Sequence, residues 1–176
     1  LKPEFTEAYS NLGNLLNDLG RLDEAETNYR KAIKIDQNYA EAHSNLGAVL
    51  KDLGKLDEAE VSCKKAVLLK PDYDEARYNL GLCLFYSKQY EEALKQFEKI
   101  DIGLSKSYAI RCSFLKDNQS VFFKRLDTLI KDGEANAVIG SIINSSEIKY
   151  GIKKSNTFCN EPLQFVINKN LNKDYN

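Results

Sequence analysis

The sequence predicts an all-α protein in which paired helices stack into a right-handed α-solenoid. The first observation is internal repetition, because AYSNLG at 8–13 recurs as AHSNLG at 42–47 and as ARYNLG at 76–81, a period of 34 residues. The second is apolar spacing of three and four residues, which is typical of amphipathic helices. In the first period these apolar positions are Leu12, Leu15, Leu16 and Leu19. Periods of this length are typical of solenoids.

Each period is predicted to form two helices. Gly20 and Gly54 mark the break between them in the first two periods. The second helix begins with acids, as at Asp23 and Glu24, and ends with bases, as at Lys34. This distribution suits the helix dipole at both ends, so the predicted helix direction is locally consistent.

Small residues recur where the helices are expected to touch. Gly13, Gly47 and Gly81 allow helix axes to approach to roughly 8 to 10 Å. A bulky residue at Gly47 is therefore expected to overpack the contact by about 1 to 3 kcal/mol. The large residues predicted to fill the space between neighbouring helices are Tyr9, Leu12, Tyr29 and their equivalents.

These positions resemble the signature of the tetratricopeptide repeat (TPR) family. The shared features are Leu-Gly at places seven and eight, Ala at place twenty, an aromatic at place twenty-four (Tyr29, Phe97) and Pro71 at place thirty-two. Departures from it are Gln37, Cys63, Lys88 and Ile100. The resemblance places three repeats at 6–39, 40–73 and 74–103, after the remnant of a preceding one.

The resemblance implies that the first helices of successive repeats line a concave groove that binds an extended peptide. Asn11, Asn45 and Asn79 recur at place six, like the asparagine ladder of the O-GlcNAc-transferase type of superhelix. Carboxamides both donate and accept hydrogen bonds, so such a row suits a peptide backbone. The alternative is that these asparagines hold neighbouring helices together. The other predicted groove residues are Ser10, Asn14, Asn17, Glu41, Ser44, Lys51, Glu75, Tyr78, Phe85 and Tyr86.

The last three of these residues make one end of the predicted groove aromatic. Tyr78, Phe85 and Tyr86 are expected either to anchor an apolar ligand side chain or to pack beneath the next helix pair. The carboxylate clamp of Hsp90-binding TPR domains, in contrast, needs Lys and Arg where this chain has Ser10, Glu75 and Asn79. Capture of a chaperone's C-terminal carboxylate is therefore not expected.

Beyond residue 103 the pattern changes. Helices are predicted at 105–116 and 119–132, as a degenerate TPR-like hairpin, and a capping helix at 134–144, so that 104–150 forms a helical extension. Residues 151–176 are predicted to be a linker or tail. Within it, FCNEPL at 158–163 resembles the segment that joins repeats to an iron and 2-oxoglutarate oxygenase domain in some bacterial TPR proteins.

Charge excludes some classes of partner. The net charge is −1, and the basic residues form no run, so neither nucleic acid nor a membrane is expected as partner. Residues 1–100 hold 14 Lys and Arg against 18 Asp and Glu, whereas 101–176 hold 11 against 8. The four cysteines contain no Cys-x-x-Cys pair, which favours reduced thiols and a cytoplasmic location. The absence of methionine, and the recurrence of residues 1–3 (LKP) at 69–71, favour a fragment of a longer solenoid.

No pattern for catalysis is present. His43 is the single histidine, so no metal centre and no cofactor are expected, and the chain is predicted not to be an enzyme. The leading hypothesis is a protein-interaction scaffold. One alternative is a substrate-presenting arm of a larger glycosyltransferase or 2-oxoglutarate oxygenase. Another is self-association through the N-terminal repeat face or the tail.

Overall fold

The computed structural model describes residues 3–102, 104–116 and 119–131. In these residues the chain forms eight helices and no strand, so the predicted all-α fold is confirmed. The helices are α1 (Pro3–Asp18), α2 (Leu22–Ile35), α3 (Ala40–Asp52), α4 (Leu56–Leu69), α5 (Asp74–Tyr86), α6 (Tyr90–Phe97), α7 (Ser105–Leu115) and α8 (Gln119–Lys131). The chain divides into two compact parts, Leu1–Ser105 and Lys106–Asn176. The predicted capping helix and tail lie outside the described residues.

The turn inside each helix pair has the same backbone conformation in all three repeats. Gly20 and Gly54 have φ values of +72° and +77°, and Lys88 at the equivalent place has φ +61°. A side chain makes this left-handed region unfavourable, which is why glycine is the usual residue there. The turn therefore keeps its conformation in the third repeat although Lys88 replaces glycine, and the backbone of Lys88 is strained.

Glycines let the two helices of each pair meet closely. A Cβ on Gly13 would lie 2.6 Å from Tyr29 Cε1, and one on Gly81 would lie 2.6 Å from Phe97 Cε1. A Cβ on Gly47 would overlap Cys63 Sγ. These positions hold no room for a side chain, as expected from the recurring small residues.

One predicted core position is wrong in the first repeat. Leu12 is 43% exposed, whereas its equivalents Leu46 and Leu80 are 3% and 4% exposed. The reason is the neighbouring helices: α3 packs against α2 as well as α4, and α5 packs against α4 as well as α6. Among the described residues no helix precedes α1. The other exposed apolar side chains of α1 are Phe5, Leu15 and Leu19.

The second compact part has its own apolar contacts. Phe122 and Cys112 are fully buried, and the rings of Phe114 and Phe122 lie 5.5 Å apart. Phe122 is thus a core residue of this part. Leu115, which the helical pattern places on the same face as Cys112, is exposed.

Candidate functional site

A polar cavity of about 400 Å³ lies between the first helices of the three repeats. Most of its lining comes from α1, α3 and α5, with Tyr29 from α2 and the residues that precede α3 and α5. We call this cavity the groove. Its lining residues are Ser10, Asn11, Asn14, Asn17, Asp18, Tyr29, Tyr39, Glu41, Asn45, Ala48, Tyr73, Glu75 and Asn79.

The structure brings eight of the thirteen predicted site residues to the groove, including all three ladder asparagines. They are Ser10, Asn11, Asn14, Asn17, Glu41, Asn45, Glu75 and Asn79. These side chains come from three helices that are separated by about one repeat in sequence. The helical period and the order of repeats are therefore sufficient to bring them together.

The three ladder asparagines have different environments. Asn45 Nδ2 donates a hydrogen bond to Asn14 Oδ1 at 2.9 Å, which also accepts from the Tyr29 hydroxyl at 2.8 Å. Asn79 is buried, and its Nδ2 donates to Ser44 Oγ at 3.1 Å. Both side chains thus connect one first helix to the preceding first helix.

Asn11 is the exposed member of the ladder. Its side chain makes no hydrogen bond with any residue of the described part of the chain. Its donor and acceptor groups both remain available at the groove surface.

Ser44 and Lys51 do not line the groove. Ser44 is fully buried, so a ligand cannot reach its hydroxyl, and its role is to accept the hydrogen bond from Asn79. Lys51 pairs with Asp52 at 2.6 Å and lies 5.9 Å from the ring centre of Tyr86. Neither residue is brought to the ladder, although both were predicted as groove residues.

The three predicted aromatic anchors also lie away from the groove. Phe85 is buried, with its ring edge-on to Tyr86 and Tyr90 at 5.6 Å in each case. Tyr78 makes an edge contact with Phe97 at 5.9 Å. Tyr86 is the one with most of its surface open, at 52% exposure. Packing against neighbouring rings thus accounts for Tyr78 and Phe85.

Sequence reasoning missed five groove residues: Asp18, Tyr29, Tyr39, Ala48 and Tyr73. A signal existed for two of them, because Tyr39 and Tyr73 are 34 residues apart and each immediately precedes a first helix. Tyr29 was assigned to the space between helices, where its ring is indeed buried. Only its hydroxyl, bonded to Asn14, reaches the groove.

The groove is lined by three carboxylates and by no Lys or Arg. Glu41 pairs with Lys70 at 3.0 Å. Burial opposes ionisation of Glu41, but hydrogen bonds from its own backbone N–H and from Lys70 outweigh it and lower its pKa. Asp18 and Glu75 form no ion pair with any described residue. Glu75 Oε2 accepts only a hydrogen bond from the Tyr73 hydroxyl, at 3.2 Å.

The tyrosines report the electrostatic potential of the groove. Burial, followed by the negative charges of Asp18 and Glu75, raises the pKa of Tyr29 to about 12. Burial and then the charge of Glu75 raise the pKa of Tyr73. Burial is the larger cause of both shifts, and the smaller contribution from the carboxylates is that of a negative potential at the phenol oxygens.

No metal-holding cluster accompanies the groove in the described part of the chain. Nowhere in the described ranges do three His, Cys, Asp or Glu side chains lie close enough together to hold a metal ion. His43 lies outside the groove lining, and its Nε2 is 3.1 Å from the Gln37 carbonyl oxygen. Burial lowers the pKa of His43. None of the described helices is both long and apolar enough to cross a membrane.

The stacked helix pairs and the groove between their first helices define a helical-repeat protein. Family models described as TPR repeat and tetratricopeptide repeat match residues 13–54, 40–73 and 74–100. Residues 13–100 of this chain are therefore tetratricopeptide repeats. No curated protein sequence matches the chain.

The fold is similar to that of several solved TPR structures. A tetratricopeptide repeat protein from Parabacteroides merdae has a TM-score of 0.72 and 18% identity, over 83% of this chain and 59% of that one. MamA has a TM-score of 0.63 and 24% identity, over 74% and 81% of the two chains. The first TPR of Spaghetti (RPAP3), bound to the HSP90 peptide SRMEEVD, has a TM-score of 0.55 and 24% identity, over 74% and 97%.

Proposed function

We propose that this chain is a non-catalytic scaffold that binds an extended segment of a partner protein in the groove. The observation that carries the proposal is the exposed, unbonded carboxamide of Asn11 in a cavity built by three successive first helices. Such a group can bond the backbone of an extended peptide whatever its side chains are. The TPR neighbour Spaghetti, which holds a peptide, supports the same class of ligand.

The groove has room for a peptide segment. Its volume of about 400 Å³ lies within the range of roughly 300 to 1,000 Å³ found for ligand sites. Its walls present amide, hydroxyl and carboxylate groups rather than a continuous apolar surface. This composition suits a ligand whose own polar backbone remains unpaired until it binds.

Selection from a displayed library tests the proposal. We would select random peptides of about 12 residues against the full chain and compare capture by the Asn11→Ala variant. Loss of one backbone hydrogen-bond pair is expected to lower affinity about fivefold to tenfold. Fluorescence anisotropy of the selected peptides measures this change.

Asn38→Ala is the matched control. Asn38 is an exposed asparagine in the turn before α3, outside the groove lining, so its replacement is expected to leave the affinity within about twofold. Failure to select any peptide whose capture depends on Asn11 would overturn the proposed function.

A further inference from the structure

One position of the repeat is occupied by Asp36, Lys70 and Leu104 in its three copies, and the lysine pairs with a groove carboxylate. In the second repeat Lys70 pairs with Glu41 at 3.0 Å, and its ammonium lies 4.9 Å from the ring centre of Tyr73. Glu41 and Tyr73 both line the groove. One lysine ammonium is therefore already bound by two groove residues of this chain.

The equivalent position in the third repeat has no cation. Glu75 lies 34 residues after Glu41, and the residue 34 after Lys70 is Leu104. Glu75 consequently has no ion-pair partner among the described residues, although it occupies the same place on α5 that Glu41 occupies on α3.

Asp18 supplies a second carboxylate to the groove lining. It lies at the end of α1, whereas Glu75 lies in the first turn of α5, and both line the same cavity. Both charges act on the hydroxyl of Tyr29, which places them within electrostatic reach of one group. Lys70 is already engaged by Glu41.

We propose that the groove selects an extended peptide segment that carries lysine or arginine, whose cationic side chain pairs with Glu75 and Asp18. This inference rests on the proposed function, since it names the partner chemistry of the same groove. The tyrosine rings of the lining add favourable surfaces for a cation, as Tyr73 does for Lys70. The preference is for net positive charge near the groove, so a segment such as SRMEEVD, which has one Arg against three acids, is disfavoured by like charge.

The test uses the library peptides whose capture depends on Asn11. We expect them to be enriched in Lys and Arg over the starting library. Replacing those residues by Gln in a synthetic peptide is expected to lower affinity about tenfold, which corresponds to two partly exposed ion pairs. The difference is expected to shrink between about 0.05 M and about 0.5 M NaCl, because salt screens such pairs.

The matching protein variant is Asp18→Asn with Glu75→Gln. It is expected to weaken the Lys- or Arg-bearing peptide about tenfold and to leave the affinity for its Gln derivative within about twofold. The control, Asp23→Asn with Asp57→Asn, makes the same change in net charge on the exposed first turns of α2 and α4. It is expected to change neither affinity by more than about twofold.

The outcomes separate this inference from the proposed function. Asn11-dependent peptides that lack Lys and Arg enrichment would overturn the cation preference and leave the groove function standing. The same conclusion would follow if SRMEEVD bound as tightly as SRMKKVK, in which lysine replaces its three acids. Tight binding of spermine with the same dependence on Asp18 and Glu75 would instead assign the site to a free polyamine, and would overturn the peptide proposal. Absence of any Asn11-dependent peptide overturns both.

Discussion

Acidic residues on the second helices of the repeats, α2, α4 and α6, which we call the outer helices, differ in their pairing from acidic residues in the groove. On the outer helices, Glu26 accepts hydrogen bonds from Arg30 and Lys55, each at 2.8 Å. In the groove, Asp18 and Glu75 pair with no cation of the described chain. Residue type alone therefore does not tell which carboxylates hold repeats together and which are open to a ligand.

The outer contact recurs from one repeat to the next. Gln89 Nε2 donates to Glu60 Oε2 at 2.9 Å, and these residues lie 34 positions after Lys55 and Glu26. The contact is present in both copies although one has lysine and the other glutamine, because the stacking of the second helices brings the two positions together. Glu26 and Glu60 thus join successive repeats through contacts at equivalent positions.

Both the groove and the outer contacts depend on close packing of the two helices of each pair. Replacing Gly47 with Val is expected to disrupt this packing between α3 and α4. The new Cβ would overlap Cys63 Sγ and lie 3.2 Å from the Ala59 carbonyl oxygen. We expect a loss of about 3 kcal/mol in the free energy of unfolding, measured by urea denaturation. Peptide binding and outer pairing should weaken together.

A double-mutant cycle identifies the cause. In a Cys63→Ala background the sulfur atom is absent, so Gly47→Val is expected to cost clearly less than in the parent chain. Equal costs in the two backgrounds would show that overlap with the sulfur is not the source of the destabilisation.

Two asparagines of the groove lining, Asn79 and Asn11, are expected to differ in their contribution to stability. Asn79→Ala is expected to lower the free energy of unfolding by about 1 to 2 kcal/mol, because it removes the buried donor to Ser44. Asn11→Ala is expected to remain within about 0.5 kcal/mol of the parent, since its side chain is exposed. Denaturant unfolding of both single variants checks this.

Equal stability of the two variants would show that the Asn79–Ser44 bond contributes nothing to the fold. It also follows that a triple asparagine variant mixes two effects. Loss of peptide capture in that variant would combine a lost ligand contact at Asn11 with loosened helix packing at Asn79.

The sequence allows the fold to be predicted because the repeat period and apolar spacing are local properties of the chain. It does not predict how each copy of a position is used. Asn11, Asn45 and Asn79 have the same place in the repeat, yet they are exposed, half-buried and buried. Their environments differ because the neighbouring first helix supplies a different partner at each copy: Asn14 to Asn45 and Ser44 to Asn79.

The sequence also does not predict the net negative charge of the groove lining. Glu41 and Glu75 were predicted as groove residues, but the sequence does not show that Lys70 pairs with the first while Leu104 stands at the equivalent place for the second. Asp18 lies at the end of α1, and only the stacked helices bring it into the same cavity lining as Glu75. Which lysine pairs with which carboxylate about 29 residues away is a property of the tertiary structure.

The smallest expected change in stability is that of a substitution on the outer helix α2. It tests whether an outer carboxylate contributes to peptide binding. Glu26→Gln removes the carboxylate that joins Lys55 to Arg30, and the Glu26 side chain is 13% exposed. We expect a loss of less than about 1 kcal/mol in the free energy of unfolding and no change in peptide affinity. An affinity loss comparable to that of the Asp18 and Glu75 variant would contradict the division of roles between the two faces.

The contribution of Glu26 is also expected to depend on pH. The hydrogen bond from Lys55 lowers its pKa, and the contact with Arg30 adds to this against an opposing effect of burial. Because the folded-state pKa lies below the unfolded value, the folded chain binds fewer protons, and the stabilisation is fully present above the unfolded pKa near 4.5. It is lost as the pH falls through the folded-state pKa. The difference in free energy of unfolding between the parent and Glu26→Gln is measured by urea unfolding at pH 7 and again at about pH 3. It should be smaller at the lower pH. A difference that stays constant would show that the charge of Glu26 does not join these repeats.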